Sequence, residues 1–333
     1  MSIIPSGYHA TLSVKETEKA IKMIKDHFQV NFVKRFNLTR VSAPLFVAVD
    51  TGLNDNLTGV EKAVSFDIPA IDGVNCEIVH SLAKWKRMAL YKYDFKEKEG
   101  IYTDMNAIRR QEEVLDNIHS VYVDQWDWEL IISKADRNAK FLQSVVKEIY
   151  AVIFDTAELV AQKYPQIKNF LPPMLSFVTS QELEDMYPDI TPEEREAEAA
   201  KKYGAVFVEQ IGCKLASGEV HGMRAPDYDD WSLNGDIIVW YPVLNRPVEL
   251  SSMGIRVDSE AIRRQLEEKG ITEYTEYHKA ILNDVYPFTI GGGIGQSRLC
   301  QVMLHKAHIG EVQASLWPRD TVEECREKGV ELL

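Results

Sequence analysis

Cysteine is scarce in this chain. Four stand among 333 residues, Cys76, Cys213, Cys300 and Cys325, and none forms a C-x-x-C pair. That spacing argues against a zinc knuckle and against a disulfide framework, and it leaves buried free thiols as the reading. No apolar run approaches the roughly 20 residues a membrane helix needs, and Met1 to His9 lack the basic start and apolar centre of a secretory leader. A cytoplasmic protein with no membrane partner is the expectation, and the sequons at Asn37 and Asn56 then carry no meaning. Basic residues are also short: 38 Lys and Arg against 51 Asp and Glu give a net charge of −13. Such a surface repels phosphates at long range, and no basic stripe offsets it, so no nucleic-acid partner is expected. Familiar signatures are missing too. There is no H-E-x-x-H and no EF-hand loop. The glycines at 291–293 are not followed by the lysine of a P-loop, and Gln296 stands where G-x-G-x-x-G needs its third glycine.

What the chain does have is an ordinary globular balance, 45% hydrophobic and 27% charged. With no repeat, low-complexity tract or long linker, residues 1–333 read as a single domain. The pair Ser13 and Glu16 predicts a capping box opening an N-terminal helical segment over about 12–30. A second long helix is expected over Asp136–Lys163. Capping boxes at Thr179/Glu182 and Thr191/Glu194 open two more helices, the last acidic and solvated. Strand patterns fall at Val74–His80, Ser120–Glu129, Ala205–Leu215, Asp236–Trp240 and Val248–Val257, and Asn234-Gly235 reads as a type I′ hairpin turn. Strands joined without intervening helices predict an α+β fold with a mainly antiparallel β-sheet flanked by helices, not a doubly wound parallel sheet.

Several constellations carry chemistry. The run Gly291-Gly292-Gly293-Ile294-Gly295-Gln296-Ser297-Arg298 lets backbone approach a bulky ligand and then supplies an arginine, suited to phosphate and flat rings, as a helix begins. In Ser120–Glu129, alternation puts Gln125, Asp127 and Glu129 on one strand face and Tyr122, Asp124, Trp126 and Trp128 on the other. The polar face holds either an amine-bearing ligand or solvent. Arg109 enters a strand–loop–strand with acids after the loop, as a phosphate clamp or a surface ion pair. Asp236 and Glu249, on neighbouring strands joined by a short connection at 242–247, suit Mg²⁺ or an ordinary cross-strand pairing with Arg256 or a lysine. Ser81 is placed to cap a helix carrying Lys84 and Lys86, aimed at a carboxylate or phosphate, while the bland alternative for that basic stretch is a solvated face. Asp55 is a further acid on a loop. Arg224 to Trp231 packs three acids, an arginine and two aromatics into eight residues, as a polar ligand wall or a solvated loop. His80 and His119 read as hydrogen-bonding residues rather than metal ligands.

Taken together, Asp55-Asn56-Leu57, His80 to Arg87, His119 to Glu129, Arg224 to Trp231, Glu249 to Arg256 and Gly291 to Arg298 resemble the ammonia-dependent asparagine synthetases of the A type, the aspartate–ammonia ligases. That family is similar to the catalytic core of the class II aminoacyl-tRNA synthetases. The resemblance implies a homodimer that binds L-aspartate, ammonia and ATP with Mg²⁺, and that makes β-aspartyl-AMP before releasing L-asparagine, AMP and pyrophosphate. It implies that Arg109 clamps the α-phosphate and that Arg298 lies against ATP, with Glu249 and Gly293 beside the nucleotide. Asp236 and Glu249 would be the metal-side acids. Gln125, Asp127, Ser81 and Lys86 would surround the amino acid, Asp229, Ser251 and Ser252 would line the same cavity, and Asp55 would stand near the reacting carboxylate and ammonia. Gln125 joins Asp55 and Arg109 among the residues expected to serve the reaction itself. One departure stands out: only Ser232 and Leu233 separate Trp231 from Asn234, where the family can carry a longer loop. The alternatives are an aspartyl-tRNA synthetase-like enzyme and a non-catalytic relative that binds nucleotide or amino acid.

Overall fold

Ser13 and Glu16 form the expected capping box, the Ser13 amide donating to Glu16 Oε2 at 3.1 Å and the Glu16 amide to Ser13 Oγ at 3.4 Å. The helix they open, α1 (Val14–Phe36), runs past residue 30 because Phe28, Phe32 and Phe36 prolong the buried stripe until Asn37 turns left-handed at φ 51°. The structure, a computed structural model, describes residues 3–55, 57, 61–110 and 114–333. The expectations that touch Asn56, Thr58, Gly59 and 111–113 lie outside the described residues.

After α1 come β1 (Leu38–Arg40), β2 (Phe46–Ala48), β3 (Ser65–Ile68), β4 (Val74–Ile78) and α2 (Ala83–Lys92). Next are β5 (Gly100–Ile108), β6 (Tyr122–Ile131), α3 (Ala139–Lys163), β7 (Ser176–Thr179), α4 (Ser180–Met186), α5 (Pro192–Tyr203) and β8 (Ala205–Glu209). The chain closes with β9 (Asp229–Tyr241), β10 (Arg246–Arg256), α6 (Ser259–Glu268), α7 (Glu276–Leu282), β11 (Thr289–Gly295), α8 (Gln296–Met303) and α9 (Arg319–Glu327).

Eight strands form one sheet in the order β1-β5-β6-β11-β10-β9-β8-β7, and β2-β4-β3 form a small second sheet. The expectation of a mainly antiparallel sheet needs correction, because the large sheet is mixed. Its six central strands run antiparallel, while β1 joins β5 and β7 joins β8 in parallel at the two edges. Each parallel edge strand pairs with a strand reached through intervening helix, a connection that hairpin signals do not announce.

The two faces of β6 divide the molecule. Trp126 and Trp128 are fully buried in the main core, where α1 lays Phe28 against Trp126 with ring centroids 4.5 Å apart and Phe36 against Trp128 at 5.8 Å. Two such rings bury on the order of 150–250 Å² each and anchor α1, α3 and α8 on this side of the sheet. The opposite face carries Gln125 and Asp127, which line a cleft, and Glu129, which is buried.

Asn234-Gly235 is not a hairpin turn. It lies inside β9, Gly235 pairing with Glu209 on one side and Met253 on the other. A Cβ at Gly235 would strike the Val208 carbonyl and the Phe207 ring, so close strand packing demands the glycine. Asn234 holds Ile211 at both ends, accepting from its amide at 2.9 Å and donating to its carbonyl at 2.8 Å. The turn falls instead at 242–245, where Asn245 has φ 51°. Ser232 and Leu233 belong to the same continuous strand, so nothing between Trp231 and Asn234 loops out. The strand expected over Ala205–Leu215 ends at Glu209, where Gln210 takes φ 64°. Among the described residues, no helix is long and apolar enough to cross a membrane.

Candidate active site

The open face of the central strands forms the floor of a cleft of about 420 Å³. Its walls come from the Asp55 segment, the start of α2, the 222–228 loop with the first residue of β9, and the start of α8. Asp55, Ser81, Lys86, Arg109, Gln125, Asp127, Asp229, Glu249, Ser252, Gly293 and Arg298 all line it. Eleven expected site residues from seven separated stretches of chain thus meet in one place.

The glycine run does its work differently from expectation. It is an extended strand, β11, with no positive φ among the five residues 291–295. A Cβ on Gly291 would collide with Glu129 and Arg256, and one on Gly293 would collide with the Gln125 amide. These glycines make room for side chains of the floor, and only then for a ligand.

Charges on that floor are paired. Lys86 Nζ contacts Asp127 Oδ1, donates to the Gly292 carbonyl at 3.1 Å and lies 3.9 Å from Glu129 Oε2. Burial pulls the Lys86 pKa down against the pull of Asp127 and Glu129. Arg256 grips Glu129 through Nε at 3.0 Å and Nη2 at 2.7 Å, and it also contacts Asp229. Burial would raise Glu129, but Arg256 overcomes it and holds the carboxyl below its ordinary range. The basic stretch on α2 is therefore no solvated face. Lys84 reaches Asp227 at 2.9 Å, and Arg87 donates to the carbonyls of Pro287 at 2.9 Å and Val257 at 2.7 Å.

Ser81 stands one residue before the N-cap, Leu82, and its Oγ accepts from the Ala83 amide, the first of α2, at 3.4 Å. Its hydroxyl donates to Asp55 Oδ2 at 2.8 Å, while the amide of Leu57 donates to Oδ1 at 2.8 Å. The anion at the start of α2 is Asp127, which accepts from the Leu82 amide at 3.1 Å. Asn54 steadies the Asp55 segment by accepting from the His80 amide at 2.9 Å and donating to Glu77 at 3.0 Å, and His80 Nδ1 meets the Asp55 carbonyl at 3.0 Å.

At the other end of the cleft, Arg298 donates to the carbonyls of Ile118 and Glu249, each at 3.2 Å, and lies 3.6 Å from the Glu249 carboxylate. Arg109 Nε is buried with no partner among the described residues. Two expected residues fall outside the cleft lining. A bulge in β10 between Glu249 and Ser251 turns Ser251 onto the face of Met253 and Ile255, where its hydroxyl donates to the Gly293 carbonyl at 2.9 Å. The same bulge puts Ser252 on the cleft side. Asp236 lies opposite Ser252 and is covered by Arg224, whose guanidinium contacts its Oδ2. Burial, reinforced by the Glu249 charge, raises Asp236 to about 7 against the pull of Arg224.

Sequence reasoning gave Arg224, Arg256 and Tyr228 no role of their own, yet all three line the cleft. Arg256 was visible only as a possible ion-pair partner. The signal for it was its position on β10 in phase with Ser252, which the unseen bulge concealed.

A mixed sheet with helices behind it and a charged cleft in front is the catalytic-core fold of the class II aminoacyl-tRNA synthetases. It aligns with asparaginyl-tRNA synthetase from Pyrococcus horikoshii complexed with asparaginyl-adenylate at a TM-score of 0.63 and 15% identity, over 92% of this chain and 70% of that one. Aspartyl-tRNA synthetase from Entamoeba histolytica aligns at 0.60 and 16%, over 89% and 57%. The sequence defines the family: residues 15–329 match the AsnA family model, aspartate-ammonia ligase. An aspartate–ammonia ligase of Clostridium perfringens (strain 13 / Type A) is 56% identical over 99% of this chain and 98% of its own. That of Ruminiclostridium cellulolyticum is 54% identical over 99% of each. The chain belongs to the aspartate–ammonia ligase family and is an enzyme.

Proposed function

We propose that the cleft adenylates the side-chain carboxylate of L-aspartate with ATP and then delivers ammonia to the acyl carbon. The observation that carries this reading is that Arg109 and Arg298, far apart in sequence, line one cleft whose floor holds the Lys86–Asp127 pair. Two always-charged guanidinium groups suit a nucleotide phosphate, and a lysine–carboxylate pair suits the carboxylate and ammonium ends of an amino acid.

A carboxylate is a poor acyl donor because ammonia cannot expel oxide from it. Attack of one β-carboxylate oxygen on the α-phosphorus forms the P–O bond of β-aspartyl-AMP and breaks the bond to pyrophosphate. Ammonia then attacks the acyl carbon, AMP leaves with the oxygen that made the attack, and a proton is lost from nitrogen. Arg109 holds the crowded α-phosphoryl oxygens and Arg298 the nucleotide, Glu249 and Gly293 lying beside it. Lys86, Asp127, Gln125 and Ser81 orient the amino acid, with Asp229 and Ser252 on the same wall and Ser251 fixing the strand behind them. Asp55, fixed by Ser81 and the Leu57 amide, receives ammonium and takes its proton.

The residues present fit a Mg²⁺ ion. Asp236 keeps one buried oxygen without a partner among the described residues, and Glu249 is near enough for its charge to act on that carboxyl. Bound there with ATP, the ion would neutralise phosphate charge during the displacement. The whole chain is read as one catalytic unit, a cytoplasmic homodimer, with ATP and Mg²⁺ as its co-substrate and cofactor. The test is incubation with ATP, Mg²⁺, L-aspartate and ammonium. Asparagine, AMP and pyrophosphate in equal amounts are expected, and ADP with orthophosphate would overturn the adenylate.

A further inference from the structure

Arg224 is one of four guanidinium groups lining the cleft, and the proposed reaction gives it no part. It stands on the 222–228 loop, above the sheet. That loop is anchored from below by Asp227, which lies 2.9 Å from Lys84 Nζ and 3.1 Å from His278 Nε2. The backbone is thus held while the Arg224 side chain, 23% exposed, faces the cleft. Its partner is Asp236, whose side chain is 9% exposed. A carboxylate buried this far needs a cation, since an uncompensated buried charge is strongly destabilising. Arg224 satisfies only Oδ2; Oδ1 has no partner among the described residues, and the charge of Glu249 acts on Asp236 and Arg224 alike. Arg224 thus covers one oxygen of Asp236 and leaves the other orphaned among the described residues, on the strand paired with the one that carries Glu249.

We propose that Arg224 is the resident counter-cation of this carboxylate pair. It neutralises Asp236 while the cleft is empty of nucleotide, and it is released toward the incoming phosphates once a divalent cation takes over Asp236 and Glu249. One positive charge is exchanged for another at Asp236, so the buried acid is never left bare, and the freed guanidinium arrives with the leaving pyrophosphate. The inference rests on the reading of Asp236 and Glu249 as the metal side.

The experiment measures Mn²⁺ binding by the loss of the free-ion paramagnetic resonance signal, with and without α,β-methylene-ATP, on the full chain. Without nucleotide, Arg224→Gln removes a competitor and is expected to tighten Mn²⁺ binding about tenfold, while weakening the ATP analogue about tenfold. Arg224→Lys keeps a cation and is expected to stay within about threefold of wild type on both counts. Unchanged or weaker nucleotide-free Mn²⁺ binding by Arg224→Gln would overturn the proposal. A second readout needs no variant: Mn²⁺ alone should speed modification of Arg224 by phenylglyoxal in the wild type, scored by peptide mass, and the analogue should then slow it. A rate indifferent to Mn²⁺ overturns the exchange. Asp236→Asn separates the two layers. If it binds Mn²⁺ with the analogue as tightly as wild type, the metal-side reading itself falls; if it loses that binding while Arg224→Gln changes nothing, only the counter-cation role falls.

Discussion

Among single residues, Asp55 bears the most specific role. Its two oxygens accept from the Ser81 hydroxyl and the Leu57 amide, which fix the carboxylate at the cleft. Asp55→Asn keeps the size and one of the two acceptors but loses the charge. Asparagine formation should fall by about a hundredfold or more, within the usual worth of a positioned base, while aspartate-dependent exchange of pyrophosphate into ATP stays within about threefold. Wild-type rates of both would remove Asp55 from the ammonia step. Many of these residues were legible because alternation and charge type place them: Gln125 and Asp127 on the open face of one strand, Arg109 at a strand end. The cover over Asp236 and the face that Ser251 takes were not legible. Asp236 lies under an arginine from a loop, and Ser251 is displaced by a single-residue bulge, and neither a tertiary cover nor a bulge leaves a mark in residue spacing.

At the scale of elements, the cleft depends on a tie that no one element contains. Asp227 joins α2 through Lys84 and α7 through His278 to the loop that carries Arg224. Burial would raise its carboxyl, but Lys84 and His278 prevail and hold it at about 2, below its ordinary 3.8. A carboxyl depressed on folding contributes stability above its unfolded pKa and surrenders it as pH falls toward the folded one. The margin of wild type over Asp227→Asn should therefore be full at pH 6, on the order of 2 kcal/mol, and should shrink between about pH 4 and pH 2. Denaturant unfolding at several pH values measures it; a margin independent of pH across that range would contradict the assignment. Helices with capping boxes were legible because Ser13, Thr179 and Thr191 each mark a start chemically. The Asn234-Gly235 turn misled because the same dipeptide that suits a type I′ turn also suits a strand squeezed between two neighbours, and only the neighbours decide.

For the whole molecule, the fold separates two tasks across one sheet. The tryptophan face of β6 and the helices behind it give rigidity, and the charged face in front is built from buried ion pairs that a zwitterionic substrate and a triphosphate can enter by exchange. The α+β class was legible from strands joined without helices. The parallel edges were not, since β1 and β7 are three and four residues long and find their partners only after α2 and α5 have been crossed. The central claim is that the aspartate side chain attacks the innermost phosphorus held between Arg109 and Arg298. L-aspartate labelled with ¹⁸O in its β-carboxylate tests it most directly. One labelled oxygen should appear in the phosphate of AMP, with pyrophosphate unlabelled; label in orthophosphate beside ADP, and none in AMP, would contradict the account.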